Sequence, residues 1–469
     1  MNTFEKIAAK TREDDRLETA KKTKKKTISA TIEAFFVRNR DRFGYIQAGM
    51  LLLLLFLIVV PAFLPLPSED AGIFNNFTLF ARYVTWGIWF PLVFVSVIVF
   101  GRLWCGALCP QGAVSEYLSR WGLKRPVPSW LRKGYVPVLS FVVITIIGQV
   151  IGIRDYPLPA MEIFIITTLL AVLIGLIFSP QRRVWCRYLC PMGPLLGVFS
   201  RLGAVSFEKE GKGGRGYLCP TYIKTQTKSA SSDCIECFKC VNPGESSSLH
   251  FRLRHPGREI EEIGKRAANI WEVIFIFAAT GLALGAFYWQ ATLLYLRLKQ
   301  GLGIFFTDLG LIDIVAKSGP KWLIVNYPEA GEVFIWLDLI GITTFMLMTM
   351  AGVAAILFIF TTLSALMLRK GEPITSTITK LGYLYAPVAL VSLVLGMGQM
   401  LFGSLGEIGS KTGMFEPAFM KTVAGIFFAG GGLWSLYLAW KLQGRLSTAI
   451  IPAVLGVGMI AFLWHRVLF

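Results

Sequence analysis

Charged side chains are scarce in this chain of 469 residues. Asp, Glu, Lys and Arg make up only 16% of it, hydrophobic residues make up 54%, and the mean hydropathy is +0.58. This is too little charge for the surface of a soluble protein. The apolar residues also form long runs, beginning with Ala48–Leu66, and about 20 such residues let a helix cross a bilayer. The sequence therefore predicts an all-α integral membrane protein.

Histidine is scarcer still, with only His250, His255 and His465 in the chain. A haem held inside a helix bundle takes axial ligands that are usually histidines. The first two histidines lie in a polar segment, and the third lies four residues from the C-terminus. We therefore expect no haem.

Acidic residues are outnumbered by basic ones, 29 to 47, which gives a net charge of +18. Lys and Arg are concentrated between the apolar runs, as the positive-inside rule requires of cytoplasmic loops. This explains the charge without a nucleic-acid partner, and we expect none. The distribution predicts a multi-pass protein of the bacterial cytoplasmic (inner) membrane, surrounded by lipid, with its N-terminus inside and its C-terminus outside.

The N-terminal segment lacks the apolar core and the small-residue cleavage site of a signal peptide. Residues 1–44 instead form a basic cytoplasmic arm with a lysine-rich stretch at 21–26. Within it, Ile28–Val37 is predicted to form a short amphipathic helix along the membrane surface.

About nine transmembrane helices are predicted from the apolar runs. The spans are Tyr45–Pro65, Val84–Gly101, Tyr135–Ile153, Glu162–Ser179, Asn269–Tyr288, Phe334–Met367, Gly382–Phe402, Lys421–Trp440 and Ala449–Trp464. They divide the chain into a four-span half at 45–180, a cytoplasmic cysteine-rich, ferredoxin-like loop segment at 181–268, and a five-span half at 269–469.

A repeated sequence motif directly follows the second and the fourth predicted spans. Residues 102–122 read RLWCGALCPQGAVSEYLSRWG, residues 183–203 read RVWCRYLCPMGPLLGVFSRLG, and ten of the 21 aligned positions are identical. If the second copy is counted with the four-span half, that half extends to residue 203. Because each copy directly follows a span, both end at the same membrane face. The duplication predicts two neighbouring units related by a pseudo-two-fold axis along the membrane normal.

All eight cysteines fall on the predicted cytoplasmic side, where such clusters hold metals or carry out redox chemistry. Cys234, Cys237 and Cys240 form a C-x2-C-x2-C loop, which suits three corners of a 4Fe-4S cluster. The next cysteine of the usual ferredoxin motif is missing, and Cys219, followed by Pro220, is the candidate fourth ligand. A structural zinc site is the alternative, although zinc usually takes two C-x2-C pairs.

The repeat supplies the other four cysteines as two C-x3-C-P motifs. They are Cys105 and Cys109 in the first copy, and Cys186 and Cys190 in the second. Cysteines four apart share a helix face, and the proline after each pair favours the start of a new helix. The four thiols could hold a second cluster, form redox-active pairs or pack as structural thiols.

Two identical arginines open the copies of the repeat. Arg102 and Arg183 each stand three residues before the first cysteine of a pair. They either offset negative charge at a metal site or anchor the ends of the spans at the membrane surface.

The paired C-x3-C-P motifs, each closing a span, and the cysteine-rich segment after them resemble the polyferredoxin-type membrane 4Fe-4S binding proteins of the NapH, NosR and CcoG kind. The resemblance covers about Val84 to Pro256. It implies a protein that moves electrons between the quinol pool or the cytoplasm and partners across the membrane, often in support of respiratory metalloenzymes. This sequence differs in having one C-x2-C-x2-C loop rather than two ferredoxin motifs, and in lacking a flavin-attachment sequence.

The expected function is therefore electron transfer by a membrane-bound iron–sulfur protein, a subunit of an oxidoreductase system. It would relay electrons between a cytoplasmic donor or the quinone pool and a partner respiratory or redox system. The expected partners are a quinone, a flavoprotein or a ferredoxin, and other membrane or periplasmic redox subunits. The alternatives are a redox-sensing regulatory or maturation factor for a metalloenzyme, and a transporter with a redox-active cluster.

Overall fold

Helices make up most of the computed structural model, which describes residues 28–68, 71–178, 180, 182–209, 219–242, 249–368, 371–412, 417–444 and 447–468. The α-helices of the first half are α1 (28–39), α2 (Phe43–Val59), α3 (Phe77–Phe100, with a π-helical turn at Tyr83–Trp89), α4 (Pro110–Leu118), α5 (Tyr135–Val150), α6 (Pro157–Ile177), α7 (Val184–Tyr188) and α8 (Met192–Ser200). Those that follow are α9 (Arg258–Glu261), α10 (Ile270–Tyr288), α11 (Leu293–Asp308), α12 (Ile312–Ala316), α13 (Trp336–Leu368), α14 (Ile374–Gly382), α15 (Ala386–Thr412), α16 (Pro417–Gln443) and α17 (Ile450–Leu468).

Seven helical stretches of the described chain are long and apolar enough to cross a membrane. They are Ile28–Phe63, Phe77–Phe100, Pro157–Ile177, Ile270–Tyr288, Trp336–Leu368, Ile374–Gly403 and Phe419–Gln443. The apolar helices α5 and α17 are shorter. Each predicted span overlaps one of these nine stretches. The prediction of a helical protein with many apolar spans is confirmed, and the count of nine transmembrane helices stays a prediction.

Polar caps explain where two of these helices begin. The Asn76 side chain accepts a hydrogen bond from Leu79 N (3.1 Å) at the start of α3. The Asn269 side chain accepts one from Trp271 N (3.0 Å) at the start of α10. Such caps satisfy backbone amides that have no partner inside the helix. The second cap fixes the start of α10 directly after the cysteine-rich segment.

Helix α10 joins the two halves of the chain. It contacts α5 and α8 of the first half and α13, α15 and α17 of the second, and it is buried from Phe275 to Phe287. A side chain at Gly281 would collide with α13, because its Cβ would lie 2.8 Å from Met350 Cα. One hydrophobic core therefore runs through both halves, and the cysteine-rich segment is attached to a single packed unit.

Two paired β-strands lie in the segment that the sequence predicts to be loop. Strand β1 (Val205–Lys209) pairs antiparallel with β2 (Leu249–Leu253), and Phe207 lies opposite Phe251. A smaller pair, β3 (Asn326–Tyr327) and β4 (Glu332–Val333), lies before α13. The strands β1 and β2 are far apart in sequence, so no short-turn signal reveals their pairing. The fold is thus helical with very little sheet rather than entirely α.

Helix α1 confirms the helix predicted at Ile28–Val37, and it packs on the cysteine-rich segment. The Glu33 carboxylate accepts a hydrogen bond from Phe251 N (2.6 Å) and lies 3.1 Å from His250 Nδ1. The Phe36 ring stacks on Phe238, which lies inside the C-x2-C-x2-C loop (4.8 Å between ring centroids). Helix α1 therefore covers the metal-binding candidates, a contact that the sequence did not reveal.

The two copies of the repeat make reciprocal contacts. Helix α4, after the first copy, packs on α6, the span before the second; α8, after the second copy, packs on α3, the span before the first. Leu123 N donates to Leu176 O (2.6 Å), and Ala204 N, the position equivalent to Leu123, donates to Ile98 O (2.8 Å). The two donors are equivalent positions, and each acceptor lies near the end of the span that precedes the other copy, so the contacts are reciprocal, as local two-fold symmetry requires. The side-by-side arrangement predicted from the duplication is present.

Candidate metal centres

The four cysteines between residues 219 and 240 surround one pocket with mostly apolar walls. They are Cys219, Cys234, Cys237 and Cys240, called the loop cysteines below. Thr221 holds Cys219 near the other three cysteines. Its hydroxyl donates to Asp233 O (3.2 Å), next to Cys234, and lies 3.3 Å from Cys219 Sγ. The residue pattern C-x2-C-x2-C with a distant fourth cysteine therefore folds into a single site.

The backbone of this loop is wound around its centre. Glu236 and Phe238, on either side of Cys237, both have φ of +57°, a left-handed conformation that costs a residue with a side chain about 1–2 kcal/mol. Strained residues of this kind gather at functional sites. Turns that include left-handed residues can direct successive N–H groups into a concavity that binds anions, including iron–sulfur clusters.

Aromatic side chains close this site from the outside. Phe238 contacts Phe207 (5.0 Å between centroids) and Phe251 (6.1 Å), in addition to Phe36 of α1. Arg40 Nη1 donates to Val241 O (3.0 Å) and fixes α1 over the loop. The loop cysteines are consequently shielded from water, and solvent exposure is one of the factors that set the potential of an iron–sulfur cluster.

The two C-x3-C-P pairs, called the membrane-edge cysteines below, do not lie along single α-helices. Cys105 lies in a π-helical turn (Trp104–Leu108), and Cys109 is extended. The prediction of a shared helix face is therefore wrong, because the chain turns between the two cysteines of the first pair. The prediction of a new helix after each pair is confirmed: α4 begins at Pro110, and Pro191 is the N-cap of α8.

The second cysteine of each pair faces the start of the helix that follows it. Amides of Gln111 and Gly112 donate to the Cys109 sulfur, and the amide of Met192 donates to the Cys190 sulfur. The N-terminus of a helix carries partial positive charge, so it favours a thiolate over a thiol.

The membrane-edge cysteines come together across the pseudo-two-fold axis. A Cβ on Gly112 of the first copy would lie 2.8 Å from Cys186 Sγ of the second. Burial, together with the nearby thiols of Cys109 and Cys105, raises the pKa of Cys190 to about 12. The raised pKa has its cause in the burial of several thiols close together.

Arg102 and Arg183 lie beside these thiols and are 4% and 2% exposed. That burial rules out surface anchoring. Arg102 Nη2 is 4.0 Å from Cys105 Sγ, and the buried Arg102 Nε has no hydrogen-bond partner among the described residues. An unpaired donor at this position fits the sulfides of an iron–sulfur cluster, which accept hydrogen bonds. Arginine stands at this position in both copies of the repeat, as Arg102 and Arg183. That repetition was the sequence signal that these side chains belong to a metal site.

The two sets of cysteines are adjacent. Gly106, in the turn between Cys105 and Cys109, packs on the loop: a Cβ there would lie 2.2 Å from Ile235 O and 2.8 Å from Cys237 N. The equivalent residue of the second copy is Arg187, which forms an ion pair with Asp233. The loop thus approaches one copy through a glycine and is held to the other by a charge pair, so the repeat is asymmetric where it meets the loop.

A buried ionic network attaches the loop to the rest of the chain. Glu259 pairs with Arg201 (3.1 Å) and Arg254 (2.6 Å), and its carboxylate also accepts from Ser231 N (3.0 Å), three residues before Cys234. Burial opposes ionisation, but the two arginines lower the pKa of Glu259 below its usual value. The carboxylate is therefore charged at neutral pH and holds the start of the loop in place.

Removing that carboxylate should destabilise the protein strongly. Glu259→Ala leaves two buried guanidinium groups with less compensation, and breaking a buried pair costs about 3–5 kcal/mol. Thermal unfolding in detergent checks this against Glu262→Ala, which removes the exposed partner of Arg258 and should cost less than about 1 kcal/mol. Equal effects of the two substitutions would contradict a structural role for the network.

The described residues contain no group of three or more His, Cys, Asp or Glu side chains arranged to hold a single metal ion.

The fold and these sites define a multi-helix protein with two adjacent four-cysteine sites beside its apolar spans. The 4Fe-4S binding domain family matches the chain at residues 84–128 and 162–210. These two segments contain both copies of the repeat's C-x3-C-P motif and stop before Cys219. The family match therefore falls on the membrane-edge cysteines, whereas the C-x2-C-x2-C loop is the stronger signal in the sequence.

Relatives of known sequence agree with the family match. The Escherichia coli protein YccM, named a putative electron transport protein, is 28% identical over 251 residues, which are 44% of this chain and 69% of YccM. The uncharacterized protein MJ0749 of Methanocaldococcus jannaschii is 23% identical over 190 residues, 38% of this chain and 76% of its own. No solved structure matches the chain significantly.

Two segments of the chain therefore match the 4Fe-4S binding domain, and each contains one copy of the C-x3-C-P motif. The match agrees with the resemblance seen in the cysteine motifs, and the predicted 4Fe-4S cofactor is confirmed.

Proposed function

We propose that the protein is a multi-pass membrane electron carrier with two 4Fe-4S clusters. One is held by Cys219, Cys234, Cys237 and Cys240, and the other by Cys105, Cys109, Cys186 and Cys190. The observation that carries the proposal is the gathering of all eight cysteines into two adjacent sets of four. Four thiolates complete the coordination of one cubane.

The side chains around each set fit this cofactor. The loop provides amides turned toward a centre and an apolar cover, and the membrane-edge set provides helix N-termini and the unpaired Arg102 Nε. When bound, each cluster accepts and returns one electron. The protein's own residues bind the clusters, exclude water from them and hold them close together.

The contact of Gly106 with Ile235 and Cys237 gives the two sites a short separation through protein. The membrane-edge site lies at the ends of α3 and α6, where lipid and water meet in the proposed topology. We place both sites on the cytoplasmic face of the bacterial inner membrane. There a flavoprotein, a ferredoxin or a quinone exchanges electrons with them, and other membrane or periplasmic redox subunits complete the pathway.

Electron exchange with such partners can be measured directly. Anaerobically purified protein in vesicles should lose its visible cluster absorbance when a reduced quinol analogue or a reduced flavodoxin is added, and regain it on reoxidation. Turnover by either donor supports a carrier. A cluster that dithionite reduces, but that neither donor reduces, would favour the alternative of a redox-sensing or maturation factor.

The proposed topology has nine spans, with 1–44 and 181–268 inside and the C-terminus outside. Reporter fusions should then place Lys124 in the cytoplasm and Glu407 outside, since Lys and Arg are concentrated in the inner loops. The same prediction puts Lys212 and Lys370 inside and Phe469 outside, and these three lie outside the described residues. A cytoplasmic C-terminus would mean an even number of spans, with α5 or α17 not crossing.

A further inference from the structure

Arg183 interacts with thiols of both cysteine sets. Its counterpart in the repeat, Arg102, donates to Ser232 O before the loop, but the thiols that interact with it all belong to the membrane-edge set. We infer that Arg183 is a shared positioning residue whose fixed positive charge raises the reduction potentials of both clusters together. This inference rests on the proposed function, because it requires two clusters. It adds a specific role for one side chain that neither the cysteine motifs nor the family match assigns.

Three contacts hold Arg183 in place. Its Nη1 donates to Cys105 O (2.6 Å), and its Nε donates to the Glu116 carboxylate (2.8 Å). Its backbone N donates to Pro220 O (2.8 Å), next to Cys219. The residue is therefore bonded to the chain beside one ligand of each proposed cluster.

The guanidinium charge also reaches sulfurs of both sets. A Cβ on Gly112 would lie 3.1 Å from Arg183 Nη1 and 2.8 Å from Cys186 Sγ, so these two atoms are close neighbours. Arg183 interacts electrostatically with Cys186 of the membrane-edge set and with Cys237 of the loop set. For Arg102 the interacting thiols are Cys105, Cys186 and Cys190.

Glu116 moderates this charge and gives the inference its sharpest test. Its carboxylate is shared between Arg183 and Lys239, which lies in the loop between Cys237 and Cys240. Burial opposes its ionisation, but these two cations lower the pKa of Glu116. A negative charge therefore stands beside the positive one between the two sites.

The direction of each effect follows from Coulomb's law. Reduction adds one negative charge to a site, so a nearby cation stabilises the reduced form and a nearby anion destabilises it. The effect falls with distance, so a residue between two sites changes both, and a residue beside one changes that one most. Because Arg183 interacts with both sites, its charge raises both potentials.

The experiment is a redox titration of the holoprotein, with both EPR signals followed. Arg183→Gln should lower both midpoint potentials by about a tenfold change in the reduction equilibrium, which is about 59 mV for a one-electron couple. The matched variant Arg102→Gln should lower the membrane-edge potential more than that of the loop site, because the thiols that interact with Arg102 all belong to the membrane-edge set. Arg183→Lys, which keeps the charge, should stay closer to wild type than Arg183→Gln.

Glu116→Gln should move both potentials in the opposite direction, upward. General damage to the fold would not produce shifts of opposite sign from two bonded partners. If Arg183→Gln fails to assemble its clusters, Glu116→Gln and Arg183→Lys still decide the question. A shift at one site only, or a downward shift in Glu116→Gln, would overturn the inference. A wild-type protein with a single cluster would instead overturn the proposed function.

Discussion

Replacing Cys105 and Cys186 together by serine should lower the iron content of the anaerobically purified protein from about eight to about four atoms per chain. The reason is that the two cysteines come from different copies of the repeat yet lie close enough to interact electrostatically with each other and with Cys190. Losing half of its thiolates should empty that site. Iron analysis and the EPR spectrum of dithionite-reduced protein measure the result.

The loop cysteines provide the matched comparison. Cys237→Ser with Cys240→Ser should also remove about four irons but should abolish a different EPR signal. Both double variants should still insert in the membrane, because the spans insert by their hydropathy. A wild-type value of about four irons, unchanged by the Cys105 and Cys186 substitutions, would leave the membrane-edge thiols without a cluster. Zinc in place of iron would refute both assignments.

The substitution Gly106→Ala should separate the two sites. Its new Cβ would lie 2.2 Å from Ile235 O and 2.8 Å from Cys237 N, and these are backbone atoms that cannot rotate away. The loop must therefore move, and the magnetic interaction between the two reduced clusters should weaken. Loss of the loop cluster is expected if the displacement exceeds what its ligands tolerate. EPR of fully reduced protein, combined with iron analysis, detects either result.

Gly264→Ala is the control for this substitution. Gly264 lies in the segment at 181–268 that also contains the loop, and a Cβ there would meet no atom within 4 Å. It should leave iron content, signals and their interaction unchanged. If Gly106→Ala behaves like Gly264→Ala, the loop does not lie against the turn between Cys105 and Cys109. The proposal that the two sites are separated by a short distance through protein would then be wrong.

The membrane-edge region shows how far sequence reasoning could go. The identity of ten positions in the repeat was enough to predict side-by-side packing, and Pro110 and Pro191 were enough to predict the helices after each pair. The geometry inside each pair was not predictable from spacing, since a C-x3-C spacing allows a shared helix face and the chain instead turns at Trp104–Leu108. Periodicity describes a regular helix and gives no warning of a π-helical turn.

The loop shows the same limit. Its cysteine spacing predicted one site with Cys219 as the fourth member, and all four residues line one pocket. Its cover was not predictable, because α1, β1 and β2 come from distant parts of the chain and carry no local signal for one another. The positions that differ between the copies, Gly106 and Arg187, mark where the loop packs, but their meaning became visible only when Ile235 and Asp233 were found beside them.

The sequence by itself determined the apolar helical spans, the duplicated motif and the grouping of the eight cysteines into motifs typical of iron–sulfur proteins. These depend on local properties: hydropathy over about 20 residues, residue spacing and the conformational limits of proline. Only the tertiary structure decided that the two cysteine sets are neighbours, that α1 closes one of them, and that Arg183 stands between them. Those relations depend on which distant surfaces bury each other, and burial is a property of the packed chain as a whole.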